Sequence, residues 1–220
     1  MAVMSGFPFP LTPVEENFLM GCASAVIRRG VRQPLPDEFS FLADGEEPDP
    51  RDLDNIALAA REKAPRLLTQ AGAFVTLHVK AHGACILRGC IGIMEPAMPL
   101  ILTTARMAWA AAFEDRRFQP LCASELASLE LDISVLGELS PCFPQDIELG
   151  RHGVRLEAMG RTAVFLPQVP TEQGWDLEQT LEALGRKAGL PPGAVNPEAF
   201  RKGISRLFRY EAVLIGPRAV

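Results

Sequence analysis

No CxxC pair occurs among the five cysteines of this 220-residue chain, Cys22, Cys85, Cys90, Cys122 and Cys142, and their number is odd. A zinc knuckle or a disulfide framework needs paired, closely spaced cysteines, so neither is expected, and a reducing compartment, the cytoplasm, is. Also missing are GxGxxG, a Walker loop, HExxH and a strand–helix GxSxG, the common signatures of nucleotide sites, zincins and serine hydrolases. A long clean apolar run is absent too: the most membrane-like stretch, 91–113, is interrupted by Glu95, Pro96, Pro99 and Arg106. Each central charge costs about 2.5–3.5 kcal/mol on insertion scales, so no membrane span is expected. Residues 1–10 carry neither the basic flank nor the apolar run of a secretory signal.

What is present is a globular composition, 48% hydrophobic and 22% charged. A chain of this length buries about 70% of its unfolded surface, enough for a core without staples. The net charge of −5 is unevenly spread. Eight acids and one base, Arg51, fall between Asp37 and Asp54, which leaves 21 bases and 19 acids elsewhere. From Arg186 onward seven bases stand against Glu198 and Glu211, with Phe200, Phe208 and Tyr210 interleaved, a pattern that can hold single-stranded nucleic acid. Charge runs are more often plain solvated surface, so nucleic acid is the weaker alternative.

Thr12-Pro13-Val14-Glu15 opens a helix with a capping box and a proline in its first turn. Val14, Phe18, Cys22 and Val26 continue it at helical spacing to a stop at Gly30. The acidic, proline-rich stretch 31–54 reads as a surface arm. Residues 51–70 form a weak helix broken at Pro65, and two strands, 74–79 and 84–91, flank the turn Ala81-His82-Gly83. Pairing Lys80 with Cys85 puts Val75, Leu77 and Val79 on one face with Ile86, Arg88 and Cys90. Residues 99–113, apolar nearly all round, read as a buried helix. Strands follow at 129–136, 153–157, 162–166 and 206–215, and a helix opens at Asp176 with Leu177, Leu181, Leu184 and Ala188 on one stripe. The order is not βαβ, so the fold class expected is α+β, with mixed or antiparallel sheets and packed helices.

The densest chemistry lies in Leu87-Arg88-Gly89-Cys90-Ile91-Gly92. Two glycines three apart in a strand permit a bulge or the close approach of a ligand to the backbone. Cys90 between them is a candidate nucleophile, and Arg88 on the same face favours its thiolate or clamps an anionic group. The plainer alternative is a core thiol, with Arg88 paired to Asp115 or Glu211. The charged run 114–117 between Phe113 and Phe118 reads as a structured loop with buried ion pairs. His152, in the glycine-bounded turn 150–153, is a candidate acid or base. Leu166-Pro167-Gln168-Val169-Pro170 reads as an extended segment of the kind that lines clefts. His78 and His82, followed by Cys85 and Cys90, suggest a metal site, but strand alternation sends the two cysteines to opposite faces, so no metal is expected.

Taken in order, LRGCIG at 87–92, AFEDRRFQPL at 112–121, LDISVL at 131–136, GRHGV at 150–154, LPQV at 166–169, EQGWD at 172–176 and KAGL at 187–190 resemble the AMMECR-type domain family, over residues 14–215. The acidic insert 44–54 and Ile93-Met94-Glu95-Pro96 depart from the family pattern. The resemblance implies one domain over 1–220, of two lobes with a cleft lined by LRGCIG, and no cofactor. It also implies partners: in prokaryotes the domain belongs to the AmmeMemoRadiSam system, beside a Memo-like protein and a radical SAM protein. Whether the chain is an enzyme is left open. The expected function is a cytoplasmic protein acting on a small anionic substrate, with Cys90 as nucleophile, Arg88 setting the charge, Asp115 orienting Arg88 and His152 as acid or base. Gly89, Gly92, Arg116 and Gln168 are the expected binding positions. The alternative is a non-catalytic adaptor that binds a substrate or a peptide.

Overall fold

The structure, a computed structural model, describes residues 10–42, 47–81, 83–95 and 97–220. The signal-peptide reading of residues 1–9, the insert acids Asp44 and Glu46, the turn residue His82 and Pro96 lie outside the described residues. Thr12 accepts a hydrogen bond from the Glu15 N–H, and the Glu15 carboxylate accepts the Thr12 N–H at 2.7 Å, so α1 (Pro13–Gly30) starts where its caps dictate. Phe18, Cys22 and Val26 are buried along it, whereas Val14, expected on the same stripe, is exposed. Gly30 is the last helical residue rather than a left-handed stop. A Cβ there would overlap the ring of Phe113, and the left-handed conformation falls to Arg32 at φ 57°.

The stretch 31–54 is more than a surface arm. Phe39, in the 3-10 turn Asp37–Phe39, is fully buried with its ring against Phe18. Burying such a ring contributes about 1.5–3 kcal/mol, which outweighs the tendency of the surrounding acids to stay in water. From Pro50 the chain is already helical, as α2 (Pro50–Lys63), capped by Asp49. Arg29 of α1 and Asp52 of α2 form a buried ion pair at 2.5 Å.

The hairpin comprises β1 (Ala73–Ala81) and β2 (Ala84–Ile93), with Gly83 at φ 78° in the turn. The apolar helix is α3 (Leu100–Phe113), and β3 (Leu129–Leu136) pairs antiparallel with β1. Next come β4 (Ser140–Cys142), too short for alternation to reveal, then β5 (His152–Ala158) and β6 (Arg161–Phe165). Residues expected to be extended form α4 (Gln168–Gln173). Pro170 stands in its first turn, where no N–H is needed, and Gly174 closes it at φ 66°. The chain ends with α5 (Leu177–Lys187), α6 (Pro197–Arg201) and the long β7 (Ser205–Ala219).

Among the described residues, 10–136 with 213–220 form one compact unit and 137–212 the other. In the larger unit the sheet runs β2-β1-β3, followed by the 213–219 part of β7, and its core gathers from α1, α3, β1 and β3. In the smaller unit the 205–212 part of β7 lies between β4 and β5, with β6 beyond β5, all antiparallel. Val154, Leu156, Phe165, Leu184 and Leu207 form its separate core. The fold is thus α+β with antiparallel sheet and packed helices.

Removing one partner of a buried pair costs about 3–5 kcal/mol, because the other charge stays buried. Asp52→Ala is therefore expected to lower the stability read from urea unfolding by about that amount. Arg51→Ala, at a side chain 90% exposed, is expected to stay within about 0.5 kcal/mol of the parent.

Candidate functional site

The hairpin register begins as alternation predicts, with Lys80 opposite Cys85 and Val79 opposite Ile86. It then slips: His78 faces Leu87 but Leu77 faces Gly89, which leaves Arg88 as the extra residue of a β-bulge. Beyond the bulge Cys90 lies opposite Thr76, not Val75, and so shares a face with Thr76, His78 and Lys80. Arg88 is therefore not a regular same-face neighbour of Cys90. The same slip puts Cys85 and Cys90 on one face, and the alternation argument against a metal site fails. Among the described residues no group of three His, Cys, Asp or Glu side chains is placed to hold a metal.

The glycines of the motif are explained by packing. A Cβ on Gly89 would overlap the carbonyl oxygen of Ala111 in α3, and one on Gly92 would overlap the ring of Phe74. Of the two expectations for these glycines, the bulge forms, at the neighbouring Arg88, and the close approach expected of a ligand is taken up by the protein itself.

β2 is the outer strand of its sheet, and an outer strand leaves backbone groups unpaired on its free side. At Cys90 the AFEDRRF loop supplies the missing partners. The Cys90 N–H donates to Asp115 Oδ2 at 2.9 Å, and Arg117 Nη2 donates to the Cys90 carbonyl at 3.2 Å. Arg117 also grips Asp115, Nε to Oδ1 at 2.9 Å and Nη2 to Oδ2 at 2.6 Å. The Arg117 guanidinium holds the buried Asp115 carboxyl well below the usual carboxylate range; burial opposes it and the Cys90 N–H adds to it.

Asp115 is thus the partner of Arg117, and the pairing expected between Asp115 and Arg88 does not form. Arg88 instead meets Glu125, Nε to Oε1 at 2.6 Å and Nη2 to Oε2 at 3.1 Å, and donates to the Gln119 carbonyl at 2.8 Å. As the extra residue of the bulge, Arg88 leaves the regular alternation of β2. Its carboxylate partner lies in the 3-10 turn Ala123–Ser128, where the Cys122 N–H orients Glu125 at 3.0 Å. Arg88 draws the Glu125 carboxyl down to about 2, against burial and with help from that N–H. Phe118 lies 5.7 Å from the Arg88 guanidinium and 5.4 Å from that of Arg117. Burial pushes the half-buried Cys90 thiol up; the Thr76 hydroxyl, which donates to Sγ at 3.6 Å, and Arg117 only partly offset it.

Arg116 is exposed and makes no ion pair among the described residues. His152 and Gln168 belong to the smaller unit. His152 is buried at the start of β5, and its Nδ1 accepts the Glu148 N–H at 3.0 Å. Gln168 begins α4, and its carbonyl accepts the Thr171 hydroxyl at 2.7 Å. The basic tail does not build a stacking platform: Tyr210 is buried, Phe208 lies beside Arg155 and Arg206, and Phe200 packs on the smaller core. Arg206 and Lys202 are paired with Glu157 and Glu198. No described helix is long and apolar enough to cross a membrane. Sequence reasoning placed Arg117 in a loop of buried ion pairs without naming its partner, and missed Thr76 and Glu125; Glu125 carries a signal, the capping-box spacing of Cys122-x-x-Glu125.

The family model described as AMMECR1 matches residues 46–215, more than three quarters of the chain. The chain belongs to the AMMECR1 family. Arg88, Cys90, Asp115, Arg117 and Glu125 all lie within the residues matched to AMMECR1. MK0488 of Methanopyrus kandleri is 42% identical over 141 residues, covering 60% of this chain and 67% of that one. A protein of Thermococcus gammatolerans is 42% identical over 135 residues, covering 58% and 66%. The chain thus spans about two thirds of the length of these AMMECR1 relatives. The crystal structure of PH0010 from Pyrococcus horikoshii matches 91% of this chain and 92% of that one, with a TM-score of 0.67 at 26% identity, and has the same fold.

Glu125 titrates at about 2 in the folded protein, below the value of about 4.3 for a free glutamate. A lowered folded value means that its contribution is complete above the unfolded pKa and is lost as pH falls through the folded one. Glu125→Gln is expected to lower stability by about 2 kcal/mol at neutral pH. Urea unfolding across pH should show this difference from the parent shrinking away toward pH of about 2. A difference independent of pH would contradict the ionised pairing with Arg88.

Proposed function

We propose that this AMMECR1 chain is a non-catalytic binding module. In this reading the LRGCIG strand is a rigid support, and the loop fastened to it offers Arg116 to an acidic group on a small anionic substrate or a peptide. The proposed peptide is an acidic segment of the Memo-like or radical SAM proteins that the family resemblance implies, so that Arg116 contacts the partner directly. The observation that supports the reading is the engagement of Arg88 by Glu125. A nucleophilic cysteine needs a thiolate, which needs an uncompensated positive charge or a base beside it. Arg88 is neutralised by Glu125, Arg117 is neutralised by Asp115, and the Cys90 thiol is raised by burial. Arg116 is left as the loop cation with no carboxylate in ion-pair contact among the described residues.

Thiol reactivity separates this reading from cysteine chemistry. In brief treatment of the folded protein with iodoacetamide near neutral pH, the exposed Cys85 and Cys122 should be alkylated ahead of Cys90. Peptide mass spectrometry that found Cys90 reacting first would overturn the binding-module reading. In calorimetric titrations against the purified Memo-like and radical SAM proteins, Cys90→Ser should bind as the parent does. Arg116→Glu should bind about tenfold more weakly, the equivalent of one charge-assisted contact.

A further inference from the structure

The smaller unit contains a polar hollow of about 290 Å³, whose wall includes Ser140, Glu148, Arg151, His152, Arg209 and Glu211. Two of its side chains are arranged in a way that the packing alone does not require.

The first is His152. Its Nδ1 accepts the Glu148 N–H, so that nitrogen carries no proton. Burial and the Arg209 charge lower the pKa of the ring, with Glu148 and Glu211 opposing, a direction that accords with the neutral form the Nδ1 acceptor requires. A neutral imidazole with an unprotonated Nδ1 has its proton on Nε2. That N–H has no protein acceptor among the described residues, and the ring lines the hollow. His152 therefore presents a hydrogen-bond donor there, not the acid or base that its glycine-bounded turn suggests.

The second is Arg209. It is half-buried, donates Nη1 to the Asp146 carbonyl at 2.6 Å, and has no carboxylate within ion-pair distance among the described residues. The contrast with Arg151 is direct, since Arg151 is held by Glu211 at 2.9 Å and by Glu148 at 3.2 Å. A half-buried cation beside a neutral N–H donor is complementary to an anion that accepts from both. Glu138, Glu148 and Glu211 also face the hollow, and their charge favours a singly charged anion over a doubly charged one.

We propose that this hollow binds the carboxylate of a small molecule, with the His152 Nε2–H and the Arg209 guanidinium as its two donors. The site is independent of the reading of the LRGCIG strand, since none of its residues takes part in that cluster. The backbone beneath it is rigid: His152 pairs with Glu211 and Gly153 with Tyr210, whose ring fills the space a Cβ on Gly153 would need.

Imidazole-selective ¹H–¹⁵N spectra of the full chain, titrated with acetate, test the site. The expected result is a neutral His152 protonated on Nε2, shifted saturably by acetate, and less by inorganic phosphate once that is doubly charged. Arg209→Gln should weaken acetate binding about tenfold or more, one charge-assisted contact, and Arg209→Lys should fall between it and the parent. Backbone amide spectra establish that each variant is folded, and the lysine variant serves if the glutamine one is not. A ring protonated on Nδ1, no saturable response of His152, or parent-like affinity without the Arg209 charge would each overturn the proposal. Phosphate dianion binding as tightly as acetate would overturn its selectivity for a carboxylate.

Discussion

On the free side of β2, a carboxylate and a guanidinium do what a further strand would do. Asp115 accepts the N–H of Cys90, Arg117 donates to its carbonyl, and the two side chains hold each other. An isolated buried carboxylate would be costly, so the Arg117 contact and the Cys90 N–H together make the position of Asp115 possible. The rest of the cluster follows. Once the loop is fixed at residue 115, Phe118 lies beside both guanidiniums and Gln119 turns its carbonyl toward Arg88. The bidentate Arg88–Glu125 pair then fastens the far end of the loop. The charges of both ion pairs are compensated inside the protein, which is the ground on which the cluster is proposed as a support.

Much of this fold was legible in the residues. Capping boxes at Thr12 and Asp176 mark helix starts by local hydrogen bonds that need no tertiary context. The apolar run of α3 and the strand Leu129–Leu136 are equally plain, because α3 leaves none of its side chains exposed and β3 buries seven of its eight. Phe39 was harder, since eight neighbouring acids mask one ring whose burial depends on a distant partner, Phe18.

The site was less legible, for two physical reasons. Alternation assumes an unbroken pleat; Gly89 and Gly92 permit a bulge, as the sequence suggests, but its place at Arg88 is set by pairing with β1 and not by their spacing. It changed the face of Cys90 and the partner of Arg88 together. The glycines were ambiguous in a second way: a missing Cβ shows that something comes close, but not whether that is a ligand or, as here, Ala111 and Phe74. In the smaller unit, His152 was visible as a titratable group, while its tautomer depended on the Glu148 N–H, a hydrogen bond set by the turn geometry.

That Asp115 and Arg117 stand in for a strand is tested most directly by amide hydrogen exchange at Cys90. In the parent protein this N–H should be protected although it faces the free side of an outer strand. In Asp115→Ala its exchange should accelerate by about ten- to a hundredfold, the equivalent of one hydrogen bond to a charged group, while β1 amides paired with β3 stay protected. An amide at Cys90 that exchanges equally fast in both proteins would contradict the clasp.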